Sequence, residues 1–95
     1  MRYEIMLIFK PTLSEEELEQ SIEKYRNILS DKTSKVVDSQ KLGNKELAYE
    51  INNFKSGYYH LYEIDASDDS ATRELDRVAS ISDDVIRHLI TRKGD

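Results

Sequence analysis

Residues 2–17 read Arg-Tyr-Glu-Ile-Met-Leu-Ile-Phe-Lys-Pro-Thr-Leu-Ser-Glu-Glu-Glu, and they hold a strand, a stop and a helix start in sequence. Residues 2–9 are aromatic and branched, which predicts a strand, and Pro11 stops it. The apolar run Ile5–Phe9 predicts burial on both faces, as in a central strand. Ser14 and Glu17 form the capping-box pattern, in which each side chain satisfies a free backbone N–H at a helix start. Glu15, Glu16 and Glu17 suit the positive end of the helix dipole. Leu18, Ile22, Tyr25 and Ile28 or Leu29 then recur at spacings of three and four, so one helix face is apolar as far as Asp31.

The same reading extends outward. Residues 35–42 read as a strand that continues through Gly43, because Leu47, Tyr49 and Ile51 alternate with Glu46, Ala48 and Glu50. This is one long strand, bulged and bent near Gly43. Asn52 to Gly57 suits a hairpin loop, and Tyr58–Ile64 a second aromatic strand. Ser67 or Asp68 can cap a second helix that buries Leu75, Val78 and Ala79. Val85–Thr91 reads as the last strand.

The order β-α-β-β-α-β is the split βαβ, ferredoxin-like arrangement: an α+β fold with a four-stranded antiparallel sheet. Right-handed crossovers place the two helices on one face, with the first and third strands central. Alternation directs Tyr3, Ile5, Leu7, Phe9, Tyr58, His60, Tyr62 and Ile64 toward the helices. Met6, Ile8, Tyr59 and Leu61 then cluster on the helix-free face, where an apolar patch marks a contact surface.

The 95 residues fit one domain, spanning 1–95, with 35% charged and 38% hydrophobic residues and a net charge of −5. That charge is uneven. Residues 14–34 carry six acids and three bases and residues 65–84 seven acids and two bases, so the strands and hairpins are net positive by three. One side of the molecule can therefore face phosphate while the helices repel it. The five-residue apolar run near the start is too short for a signal core or a membrane span, so the expectation is a cytoplasmic protein with no membrane association.

Little supports catalysis. The absence of cysteine excludes disulfides, thiolate metal sites and a Cys nucleophile. His60 and His88 lie inside strands with no third ligand at metal spacing. Ser30, Ser34, Ser56 and Ser80 lack a Gly-x-Ser-x-Gly setting. Gly43, Gly57 and Gly94 are too far apart for a phosphate loop, and the loop Lys10–Leu13 has no glycine, as an acylphosphatase-like anion cradle would need. Glu15–Glu17 and Asp68-Asp69 read as solvated helix starts. The expectation is no enzyme, no metal, no cofactor and no small-molecule substrate. A ferredoxin-like small-molecule or protein-binding module without RNA is the rival class. The RNA recognition motif shares the strand order, but Lys55-Ser56-Gly57-Tyr58-Tyr59-His60-Leu61-Tyr62 matches its third-strand signature only at Gly-Tyr, which gives base stacking on the bare face weak support.

Residues 43–52, Gly-Asn-Lys-Glu-Leu-Ala-Tyr-Glu-Ile-Asn, resemble the signature of the bacterial small-subunit ribosomal protein six family. Gly43, Lys45, Leu47, Ala48, Tyr49 and Ile51 carry the match. Arg2-Tyr3-Glu4 with Pro11, Gly57-Tyr58-Tyr59 and Asp84–Ile90 also look like the family's pattern. Where many members have consecutive bases before Leu-Ala-Tyr, this chain has Asn44-Lys45-Glu46. The resemblance implies the same ferredoxin-like fold and a ribosome-associated role, binding the central domain of small-subunit ribosomal RNA together with small-subunit ribosomal protein eighteen. On that basis Arg2, Lys45, Arg87, Arg92 and Lys93, which sit on strands or strand ends, form the expected RNA-facing set. Met6, Ile8, Tyr59 and Leu61 form the expected partner-facing set.

Overall fold

The computed structural model describes residues 1–93. The elements are β1 (Arg2–Phe9), α1 (Glu15–Leu29), β2 (Ser34–Ile51), β3 (Phe54–Ala66), α2 (Ser70–Ile81) and β4 (Val85–Lys93). The sheet order is β2-β3-β1-β4 and every pairing is antiparallel, which is the ferredoxin-like arrangement the element order predicts.

The first strand and helix follow from their sequence. Glu17 N–H donates to Ser14 Oγ at 3.1 Å and Ser14 N–H to Glu17 Oε1 at 2.8 Å, so both halves of the capping box are present. These bonds hold the Glu17 carboxyl below its ordinary pKa. Tyr3, Ile5, Leu7 and Phe9 all turn toward the helices and pack with Ile22, Tyr25, Leu29, Ala71, Leu75, Tyr62 and Ile64 in one core. Each buried Ile, Leu or Phe among them contributes about 1.5–3 kcal/mol by leaving water.

The buried tyrosines still find partners, as burial requires. Tyr62 donates its hydroxyl to the Ile22 carbonyl at 2.6 Å. Tyr25 donates to Asp84 Oδ1 at 3.0 Å. Asp84 Oδ2 also accepts from Ser21 Oγ at 2.7 Å and Lys24 Nζ at 3.2 Å. Burial pushes the Asp84 carboxyl pKa up, but the three donors outweigh it and leave the group below its ordinary value. This one carboxylate thus ties α1 to the turn that precedes β4.

Several boundaries differ from the sequence reading. Helix α1 ends at Leu29 rather than near Asp31, because Asp31 Oδ1 instead accepts the Thr33 N–H and hydroxyl in a local turn. Helix α2 is capped at Asp69, not Ser67 or Asp68, and Asp69 makes no side-chain cap bond. The Asp68 carboxylate takes the Ser70 N–H instead, at 3.0 Å. The hairpin connection is only Asn52-Asn53, with φ of 52° and 68°. Asn tolerates this left-handed region, and a two-residue turn of that hand matches strand twist. Residues 54–57, read as loop, therefore extend β3. Strand β4 runs to Lys93.

Strand β2 bends as predicted. Its register with β3 shifts between Val36 and Asp38, between Lys41 and Gly43, and between Glu46 and Ile51. Gly43 takes φ +87° at the middle shift, a backbone state that costs glycine little. The distal part of the hairpin bends there and closes over the helix-free face. At its root, a Cβ added to Gly57 would lie 2.5 Å from Ile8 Cγ2 and 3.0 Å from the Phe9 carbonyl oxygen. Only glycine lets the two strands approach that closely.

Candidate nucleic-acid and partner interface

The helix-free face is laid out by register. Across β3, β1 and β4, one row is Glu63, Glu4 and Thr91, the next Leu61, Met6 and Leu89, and the next Tyr59, Ile8 and Arg87. On β2, Asp38 and Gln40 flank the first two rows opposite Glu63 and Leu61, with Gln40 Nε2 donating to Asp38 at 2.8 Å. The expected apolar set Met6, Ile8, Tyr59 and Leu61 is thus contiguous. The sequence reading omitted Leu89, which pairs with Met6 and is 52% exposed. The signal was available, since Leu89 alternates with Ile90 on a strand already identified.

Ile8 departs from a fully bare face: it is only 6% exposed. The hairpin arm covers it. Leu47, Ala48, Tyr49 and Ile51 of the arm face Met6, Ile8, Tyr59, Arg87 and Leu89 across a groove of about 280 Å³. Tyr49, 64% exposed, spans to the far strand, where Arg87 Nη1 donates to its hydroxyl at 2.9 Å. Nothing short-range in the sequence announces this crossing, because it depends on a bend accumulated over three register shifts.

The five basic residues do not form one set. Arg2 and Lys93 lie at the acidic end of the face. Arg2 Nη1 donates to Glu63 Oε2 at 2.7 Å, and Lys93 Nζ reaches Glu63 Oε1 at 3.1 Å and Glu4 Oε2 at 3.5 Å. The two cations hold the Glu63 carboxyl below its ordinary pKa. Arg87 and Lys45 lie at the other end, about 20 Å away for six residues of strand. Neither has a carboxylate partner among the described residues: Arg87 holds Tyr49, and Lys45 Nζ sits 5.9 Å from the Tyr59 ring centroid. Arg92 pairs with Tyr3 on β1, so it belongs to the helix-bearing face.

A second concavity, about 350 Å³, opens on the helix side between α1 and the β2–β3 hairpin, lined by Phe9, Leu18, Tyr58 and His60 among others. His60 is 4% exposed, and its Nε2 lies 2.8 Å from Ser39 Oγ. Burial, then the nearby Lys41 charge, lowers its pKa to about 4, so the ring is neutral. The other histidine, His88, lies 2.7 Å from Asp76 Oδ1 on α2. Among the described residues no three His, Asp or Glu side chains converge as a metal site, and no helix is long and apolar enough to cross a membrane.

Comparison with known proteins identifies the family of this chain. The family model described as Ribosomal protein S6 matches residues 2–92. Small ribosomal subunit protein bS6 of Desulforamulus reducens is 42% identical over 93 residues, covering 98% of this chain and 97% of that protein. The crystal structure of 30S ribosomal protein S6 from Thermotoga maritima superposes with a TM-score of 0.89 at 28% identity, covering 97% of this chain and 86% of the other. A match across almost the whole chain, in sequence and in fold, shows that this chain belongs to the ribosomal protein S6 family.

Proposed function

We propose that this protein is a structural, non-catalytic component of the bacterial small ribosomal subunit that binds the central domain of small-subunit ribosomal RNA together with small-subunit ribosomal protein S18. Family membership makes it ribosome-associated and cytoplasmic. We read residues 1–95 as one domain, with 94 and 95 outside the described residues. The observation that carries the binding reading is the division of the helix-free face. Its cationic end, Lys45 and Arg87, has no carboxylate partner among the described residues and suits phosphate. Its apolar middle, Met6, Leu61 and Leu89 beside half-buried Tyr59, suits a protein surface. The net charge of −5 disfavours RNA binding by this chain alone, and a basic partner offsets it. Two linked contacts then give an affinity that neither supplies separately.

The test is binding of the full chain to a central-domain RNA fragment with and without S18 over a salt series. RNA affinity is expected to rise sharply with S18 present. Arg87→Ala should weaken the ternary complex by about 1 kcal/mol and reduce the salt slope by about one unit. Arg2→Ala should change it less, because Glu63 already occupies that guanidinium. Equal RNA affinity with and without S18 would overturn the joint-binding reading.

A further inference from the structure

Tyr49 is the most exposed aromatic side chain on the helix-free side, and its setting is unusual for a surface tyrosine. Its hydroxyl is fixed by the Arg87 guanidinium at 2.9 Å, which limits the ring's motion. No ring or cation stacks on it among the described residues, and the side chain is 64% exposed. Arg87 and Lys45, two cations with no carboxylate partner among the described residues, stand at the same end of the sheet. The second tyrosine there, Tyr59, lies under Lys45.

We propose that Tyr49 is a stacking platform for one unpaired RNA base, with Arg87 and Lys45 taking the flanking phosphates. The inference rests on the RNA-binding reading above and adds to it the class of nucleotide and the residue that receives it. An open aromatic face beside unneutralised cations is the arrangement by which single-stranded RNA is held: the ring takes the base and the cations take the backbone. A pre-oriented ring binds with less loss of side-chain freedom than a mobile one. A protein side chain is the competing occupant of the Tyr49 ring, because Met6 and Leu89 of the partner-facing patch line the same groove. Charge decides against it here. A basic protein that offsets the −5 of this chain is repelled at Arg87 and Lys45, where RNA phosphates are attracted.

The experiment compares wild type, Tyr49→Phe and Tyr49→Leu in the full chain. Affinity is measured for a central-domain RNA fragment in the presence of S18, and separately for S18 alone. A 4-thiouridine-substituted RNA is then crosslinked and the adduct mapped by mass spectrometry. Tyr49→Phe keeps the ring and should bind RNA within about threefold of wild type, whereas Tyr49→Leu keeps only apolar bulk and should lose about tenfold. S18 affinity and the unfolding midpoint should be unchanged in both, and the crosslink should map to Tyr49 or its immediate neighbours. Wild-type RNA affinity in Tyr49→Leu overturns the proposal. Loss of S18 affinity with RNA contacts intact also overturns it and assigns the groove to a protein side chain. Failure of wild type to bind the RNA at all overturns the underlying RNA-binding reading, which the wild-type arm reports independently of any variant.

Discussion

Leu7 and Met6 are consecutive residues of β1, yet Leu7 is fully buried under the helices while Met6 is half-buried on the other face. The contrast continues through the sheet. His60 and Tyr62 are buried beside α1, and Tyr59 and Leu61, which alternate with them, turn to the open side. One face therefore commits its apolar residues to stability, and the other leaves them accessible to the partner proposed above. Strand periodicity of two allows a single segment to carry both duties without compromise, provided that register is fixed.

The most direct way to sharpen this comparison is to truncate the covered face. Leu7→Ala should cost about 2–5 kcal/mol in denaturant unfolding, since nothing can collapse easily into the space left. A cost under about 1 kcal/mol would mean the two faces are not energetically distinct. A subtler effect comes from His60. The folded state holds its ring neutral, with a pKa near 4 against an ordinary 6.5. Between those values the unfolded chain takes up a proton that the folded chain refuses, so stability falls as pH drops. The loss from pH 7 to 5 should be on the order of 2 kcal/mol, and His60→Phe should abolish it. That interval lies above the ordinary range of Glu63 and Asp84, so their titration does not obscure the result. The smallest stability effect belongs to the open face. Met6→Ser with Leu61→Ser should change stability by about 1 kcal/mol or less, because both sites already meet water. S18 affinity in that double variant should fall sharply. Intact affinity would move the partner to an exposed sheet edge, where β2 and β4 present unpaired backbone groups.

How much of this was legible in advance depended on range. The capping box at Ser14 and Glu17, the alternation of β1, and the bend at Gly43 are written in residues a few positions apart. The covered face and the apolar cluster opposite it followed directly. Arg92 shows a legible signal passed over: it stands five positions from Arg87 on one strand, and an odd spacing puts the two on opposite faces. The pairing of Arg2 and Lys93 with Glu63 was less accessible, because it brings together residues separated by as many as 61 positions. The arm over Ile8 was hidden for the same reason. Its path depends on Gly57 meeting β1, and no local pattern records that glycine's neighbour. The short Asn52-Asn53 turn was read as a longer loop because polarity extends past it to Ser56, although pairing does not stop there.

The position of β1 at the centre of the sheet has a cost during synthesis. Its partners β3 and β4 begin at Phe54 and Val85, so the chain emerges with its most apolar strand unpaired on both edges. At roughly 5–20 residues per second, β1 waits on the order of 3–10 s for β3 to be complete. The hairpin of β2 and β3, by contrast, closes locally within about 1–10 μs once made. Through that interval Tyr3–Phe9 is a segment able to pair with other nascent chains. Arg2, Glu4 and the Lys10-Pro11 pair bracket and interrupt it, as gatekeepers do. Residues that serve the finished surface thus also protect the unfinished one.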